Sequence, residues 1–252
     1  MVKNEDDLLD PWFEQEKCSV DTVCVFNERT NGQDAIFESL VKIAADHVVG
    51  LKAIEKLGGF AKARQTLKAR VPNEKKARSG MLGEILMTEY VNRKTKFAVP
   101  IRRLQHRDTR EQAMRGNDGL GFRVAKTRVK VLKVEAKSRL KLATAHLTKA
   151  REGLAQHKGR PNPETLAYLQ CHLLLNDRDS EAEPITFLMN NSIYARDVCH
   201  LLFTLSGNAP TKFLEDNSDL VNDGIKLRLC GIRIKKHKTF IKDLFDSCIA
   251  RD

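Results

Sequence analysis

The amino-acid sequence predicts an α/β (α+β) protein, and three patterns carry that reading. Phe37, Leu40, Val41, Ala44, Val48, Leu51 and Leu57 recur at helical spacing. Residues 127–137 alternate with period two, as a half-buried strand does. Helical and strand patterns then interleave along the chain instead of falling into separate blocks. At 252 residues the chain can bury a core, as one large domain or two small ones.

Residues 18–26 read as a short strand and Asn31-Gly32 as a turn. A helix follows from an N-cap at Asp34 to a stop at Gly58-Gly59. Residues 60–70 form a second, basic helix with Lys62, Arg64, Lys68 and Arg70, and Lys75, Lys76 and Arg78 come soon after. Residues 74–92 form another, with Met81, Leu82, Ile85, Leu86 and Tyr90 on one side. Its internal Gly80 and Gly83 each cost about 1 kcal/mol relative to alanine, which predicts close packing onto a sheet. After a basic loop (Arg102, Arg103, His106, Arg107), residues 115–119 read as a tight turn.

Residues 120–124 and 127–137 are then two strands whose spacing suits an antiparallel hairpin. Val129, Val131, Lys133, Glu135 and Lys137 share one face of the second strand; Leu132, Val134 and Ala136 share the other. Residues 140–157 and 163–175 read as helices, 184–189 as a buried strand and 193–205 as helical. In the segment 225–234 the alternation changes phase beside Gly231, which predicts a β-bulge, and 239–249 is a terminal helix. Residues 1–72 are expected to form a mostly helical accessory region available to a partner, and 73–252 the main domain.

Forty-four Lys+Arg against 33 Asp+Glu leave a net charge of +11, which favours a polyanionic partner, nucleic acid before anionic membrane. The acidic start of the chain reads as neither a signal nor a transit peptide, and no apolar run approaches a membrane span. The six cysteines include no Cys-x-x-Cys pair, so structural zinc is not indicated and the thiols read as core residues in a reducing cytosol. With aromatics at 6% and a single Trp12, backbone contact is expected rather than base stacking.

The chemistry is expected at Asp118, Glu135 and Lys137. Glu-x-Lys alone means little, because 16 Glu and 24 Lys give about one or two matches by chance. Glu74-Lys75-Lys76 is such a match, in a charge run without an upstream acid. Glu135-Ala136-Lys137 differs, since alternation places carboxylate and ammonium on one face and the hairpin returns Asp118 to them. Two carboxylates suit a hard cation such as Mg²⁺ or Mn²⁺, and a lysine suits charge building on a phosphoryl group. Glu84 supplies a further carboxylate if its helix packs on the hairpin. Arg128, Lys130, Lys133, Arg139 and Lys141, with Lys126, are expected to surround Glu135 with a cationic field for a nucleic acid, or to protect a strand edge. The plain alternative for the triplet is a solvent-facing Glu/Lys pair. Cys199-His200 reads as a core pair in a helix, and Gly119-Leu120-Gly121 is no phosphate loop.

Helix Glu84, hairpin Asp118, then Glu135-x-Lys137 and a helix resemble the PD-(D/E)xK restriction-endonuclease-like superfamily, with Asn117 where that motif usually has proline. More narrowly, the segments 80–84, 115–119 and 134–138 resemble the HamA family, nuclease subunits of Hachiman antiphage defence, and their relatives in the Abp system. The resemblance implies a mixed sheet flanked by helices and a Mg²⁺- or Mn²⁺-dependent DNA nuclease. It implies metal ligation by Asp118, Glu135 and Glu84, a helicase partner and a bacterial cytoplasmic location. The rival expectations are a non-catalytic DNA-binding module on the same fold, and an RNA-associated basic protein.

Overall fold

A computed structural model describes residues 8–107, 109–110, 116–125, 128–218 and 224–250. The expectations placed on residues 1–7, Arg115, Lys126 and Thr127 lie outside them. The elements in order are α1 (Leu9–Trp12), β1 (Phe13–Glu16), β2 (Val23–Glu28), α2 (Gly32–Val48), α3 (Leu51–Lys56), α4 (Phe60–Arg70) and α5 (Lys75–Lys94). There follow β3 (Gly119–Ala125), β4 (Arg128–Arg139), α6 (Thr144–Ala155), α7 (Pro163–Leu174), α8 (Asp179–Asn190), β5 (Val198–Ser206), α9 (Thr211–Glu215), β6 (Lys226–Arg233) and α10 (His237–Ala250). The six strands form one mixed sheet in the order β1-β2-β6-β5-β4-β3. Its four inner strands are parallel, and β1 and β3 run antiparallel at the edges. The α/β class is therefore what the interleaved patterns predicted.

Both faces of the sheet are covered. On one, Leu132 and Val134 of β4, Leu201 and Phe203 of β5 and Ile232 of β6 join buried residues of α2, α5 and α10 in the largest core. On the other, Leu202, Leu227 and Leu229 pack with Leu147, Ala150 and Leu154 of α6. Val129 and Val131 pack there with the α7–α8 pair. The faces of β4 divide as its alternation predicted. Gly83 approaches the sheet so closely that a Cβ would lie 3.0 Å from Ser138 Cβ, which is the expected helix–sheet contact. Gly80 has nothing within 4 Å of such a position and makes no such contact.

No boundary falls at residue 72. Strands β1 and β2 belong to the common sheet, and Leu9, Trp12, Leu40 and Leu67 share a core with Phe203 and Phe245. Trp12 is fully buried and donates from Nε1 to Glu28 Oε1 at 2.8 Å, so it is not available to stack on a base. The helix expected from Asp34 starts earlier, after Asn31, and breaks at Gly50. Gly50 holds φ 92°, a conformation glycine adopts without the Cβ penalty, and this splits one predicted helix into α2 and α3. The helix expected over 140–157 is confined to α6, Thr144–Ala155.

Three expectations fail for related reasons. Residues 184–189 lie in α8, a helix that buries Ala182, Ile185 and Leu188 at helical spacing and leaves Phe187 and Met189 exposed. Residues 198–206 form the central strand β5, buried on both faces, so no polar alternation marks it. A short apolar run has the same appearance in a buried helix and a buried strand. The predicted bulge at Gly231 is absent: β6 pairs with β2 and β5 in unbroken parallel register. The phase change arises because only the second half of β6 is covered on both faces. Gly231 instead admits the segment leading into α9, since a Cβ there would lie 2.7 Å from Leu214 Cδ1 and 2.8 Å from Pro210 Cγ.

Cys230 and Cys248 are buried as expected, whereas Cys171 is exposed, and none of the six cysteines is in a disulfide. Among the described residues no helix is long and apolar enough to cross a membrane.

Gly231→Ala should lower stability by about 1–3 kcal/mol through overpacking, despite alanine's better strand propensity. Urea unfolding of the variant tests this; an unchanged or higher midpoint would show that the Pro210–Leu214 contact does not constrain β6.

Candidate active site

The antiparallel register of β3 and β4 pairs Gly119 with Val134, which brings Asp118, just before β3, beside Glu135. Asp118 Oδ2 accepts from the Ala136 backbone N–H at 3.0 Å. Glu135 Oε1 pairs with the Lys137 ammonium two residues on, and both side chains are largely enclosed. Gly153 of α6 makes room for this carboxylate: a Cβ there would stand 2.9 Å from Glu135 Cδ and Oε2. The three residues expected to cluster do so, and the solvent-facing alternative for Glu135 and Lys137 does not hold.

Glu84 reaches the group from α5, held near the sheet by the Gly83–Ser138 contact. Burial raises its pKa from 4.5 to about 7; Arg103 and Arg107 oppose the shift, while Asp118 and Glu135 add to it. Burial also raises the pKa of Glu135, helped by Asp118 and opposed by the Lys137 charge. The carboxylates are thus close enough to resist simultaneous ionisation. Among the described residues, no group of three or more His, Cys, Asp or Glu is arranged to hold a metal ion.

Arg103, from the short 3-10 turn Arg103–His106, places Nη1 3.7 Å from Asp118 Oδ1 with its side chain only 10% exposed. The loop's basic character was visible in the sequence, but neither Arg103 nor Arg107 could be assigned to the carboxylates from spacing. Gly153 was likewise missed, since an isolated helix glycine names no neighbour. Asn117 occupies the expected proline position, and its Oδ1 accepts from the Asn162 backbone N–H at 3.0 Å. Asn162 in turn caps α7 through a bond from Glu164 N. A proline at 117 could accept no such side-chain bond, so the departure from the motif has a structural use here.

The five basic residues expected to contact nucleic acid divide into three groups. Arg128 and Lys130 lie at the far end of β4, about 20–30 Å from Lys137 at the usual strand rise, and face Asp197 at 3.9 and 2.8 Å. Lys133 is 1% exposed and donates to Leu154 O at 3.0 Å and Gln156 O at 2.7 Å, capping the C-terminus of α6. Burial lowers its pKa to about 8, and it has no surface to offer a phosphate. Arg139 and Lys141 follow Lys137 at the site end, with Lys141 exposed. Because β4 lies between β3 and β5, these lysines protect no sheet edge. Cys199-His200 lies on strand β5, not a helix, and His200 is fully buried with Nε2 2.7 Å from Gly159 O.

The fold and site define an α/β protein with an acidic cluster and a paired lysine where its antiparallel hairpin meets the parallel sheet. The chain matches the HamA family over residues 5–248 and belongs to that family. Membership links it to Hachiman antiviral defence. No curated protein matches the chain.

Two outcomes follow. The Glu84 carboxyl, with its folded pKa raised, keeps its proton to about pH 7 while the unfolded chain releases it near 4.5. Stability from this group is therefore lost as pH rises from about 4.5 to 7. Glu84→Gln should be more stable than the parent at pH 8, by on the order of 1–3 kcal/mol, and should lose the advantage near pH 4. Denaturant melts at both pH values measure it; a parallel loss at both would refute the assignment. Lys133→Ala, which leaves the Leu154 and Gln156 carbonyls without this donor, should cost about 2–4 kcal/mol by the same method.

Proposed function

We propose that this chain is a divalent-metal-dependent nuclease of the PD-(D/E)xK type that hydrolyses DNA phosphodiester bonds. It would serve as the effector subunit of a Hachiman complex in the bacterial cytoplasm, beside a helicase. The observation that carries the reading is the convergence of Asp118, Glu135 and Lys137, with Glu84 behind them, at one point of the sheet. Family membership supports the defence context.

The donor chemistry fits Mg²⁺ or Mn²⁺: oxygen ligands only, on carboxylates whose mutual repulsion a divalent charge would relieve. Asp118 and Glu135 would hold the ion, which supplies Lewis acidity toward the phosphoryl group and toward water. Glu84, which senses both carboxylates, would support the ion or a water bound to it. Lys137, whose ammonium pairs with Glu135, would face the charge that develops on the phosphate and orient the attacking water. Glu84, poised near neutrality, can hold or release a proton beside them. Arg103 pairs with Asp118 and helps hold it.

The enclosed Glu135–Lys137 pair also favours a second reading, in which the ion pair is structural and the chain is a non-catalytic DNA-binding module. Glu135→Ala and Lys137→Ala should each lower metal-dependent DNA cleavage by at least about 100-fold. Both variants should keep the parent's circular dichroism and most of its DNA affinity. Cleavage assays with Mg²⁺ and Mn²⁺, with and without a helicase partner, measure this. Unchanged cleavage in the variants would sink the site assignment, and no cleavage by the parent in any condition would establish the binding module.

A further inference from the structure

A cavity of about 650 Å³ opens directly beyond Lys137, between the first turns of α5 and α10 and the last residues of β4. It lies at the carboxyl ends of β4, β5 and β6, where Arg139, Ser206 and Arg233 stand in register and where open α/β sheets bind ligands. Helix N-termini present unpaired N–H groups and partial positive charge, so acidic residues are favoured there. Neither α5 nor α10 has an acid in its first turn; Glu74, the N-cap of α5, makes no capping bond and does not line the cavity. Lys75 and Lys76 open α5 and Lys238 opens α10, cations where the helix dipoles disfavour them. Among the described residues that line the cavity, the one acid is Asp246. Arg78 at 2.7 Å and Lys242 at 2.8 Å engage it, so it does not neutralise those lysines.

A second observation points the same way. His237 lines the cavity, is 4% exposed, and has both ring nitrogens buried with no hydrogen-bond partner among the described residues. A buried imidazole carries an N–H donor, and leaving it unpaired is costly. Two convergent helix N-termini, three unneutralised lysines and an unpaired imidazole are a set of donors without an acceptor. Local rules broken together in one place mark a binding site.

We propose that this cavity is a phosphate-binding subsite that holds the backbone of the nucleic-acid strand next to the scissile bond. Lys75, Lys76 and Lys238 are its cations, and the unpaired His237 ring in its wall reports on its occupancy. The identity of the strand rests on the nuclease reading; the anion site itself does not. Glu74-Lys75-Lys76, a chance match to the catalytic triplet, acquires a role through its lysines. Ser138 and Arg139, which immediately follow Lys137, line the same cavity and make it continuous with the active site.

The test is fluorescence anisotropy of labelled single-stranded DNA binding to the full chain in EDTA, across a range of KCl concentrations. The Lys75→Ala/Lys76→Ala double variant and Lys238→Ala should bind about three- to tenfold more weakly. Their salt dependence should flatten by about 0.7 in log–log slope for each phosphate that is no longer neutralised. Both carry exposed changes, so folding is not at stake; in the parent, ¹⁵N-histidine spectra should show the His237 ring shifting when the oligonucleotide binds. Affinity and salt slope equal to the parent's would overturn the subsite. A His237 shift with inorganic phosphate but none with the oligonucleotide would overturn its assignment to the strand. Because binding is read without metal, a chain that binds through the cavity but never cleaves removes only the nuclease reading. A cleaving chain whose cavity variants bind normally removes only the subsite.

Discussion

Strand β4 is hydrogen-bonded on both sides, antiparallel to β3 and parallel to β5, and the candidate site depends on that double register. A slip of one residue would turn Glu135 and Lys137 toward α5 and carry Leu132 and Val134 out of the main core. The apolar residues of the strand therefore do more than fill space, because their packing holds the polar ones in phase. Lys133 belongs to the same arrangement. Its Nζ ties β4 to the end of α6, the helix whose Gly153 shelters the Glu135 carboxylate.

The electrostatics of the site follow from crowding. Asp118, Glu135 and Glu84 come from three different elements into a partly enclosed space, and each added negative charge makes the next more costly. Lys137 and Arg103 offset part of this, one against Glu135 and one against Asp118. On the proposed nuclease reading, a divalent cation would relieve what remains. Beside it, the first turns of α5 and α10 gather the opposite imbalance, lysines and N–H groups that gain from an anion. The proposed metal-assisted reaction on a phosphate backbone would use both, side by side.

Length, charge and periodicity together made much of this legible. The helices at 60–70, 74–92 and 163–175 and the strands β3 and β4 were visible because polar residues recur between their apolar ones with the period of the element. The alliance of Asp118 with Glu135 was visible because a hairpin is a local structure, joining positions 17 residues apart through their own backbone bonds. Strand β5 and the second half of β6 were misread because burial on both sides erases the period, and α8 because its short apolar run, Ile185 to Met189, looks the same in a helix and a strand.

The sequence by itself thus determined the α/β class, the two faces of β4 and the Asp118, Glu135 and Lys137 set, because these rest on short-range geometry. The tertiary structure alone decided that β1 and β2 build into the common sheet and that Lys133 is a helix cap rather than a surface cation. It alone set Arg103 against Asp118 and Gly153 against Glu135, and joined the starts of α5 and α10 around one cavity. Those are contacts between elements distant in the chain. Packing chooses them, and no residue's type or spacing records which neighbour it will meet.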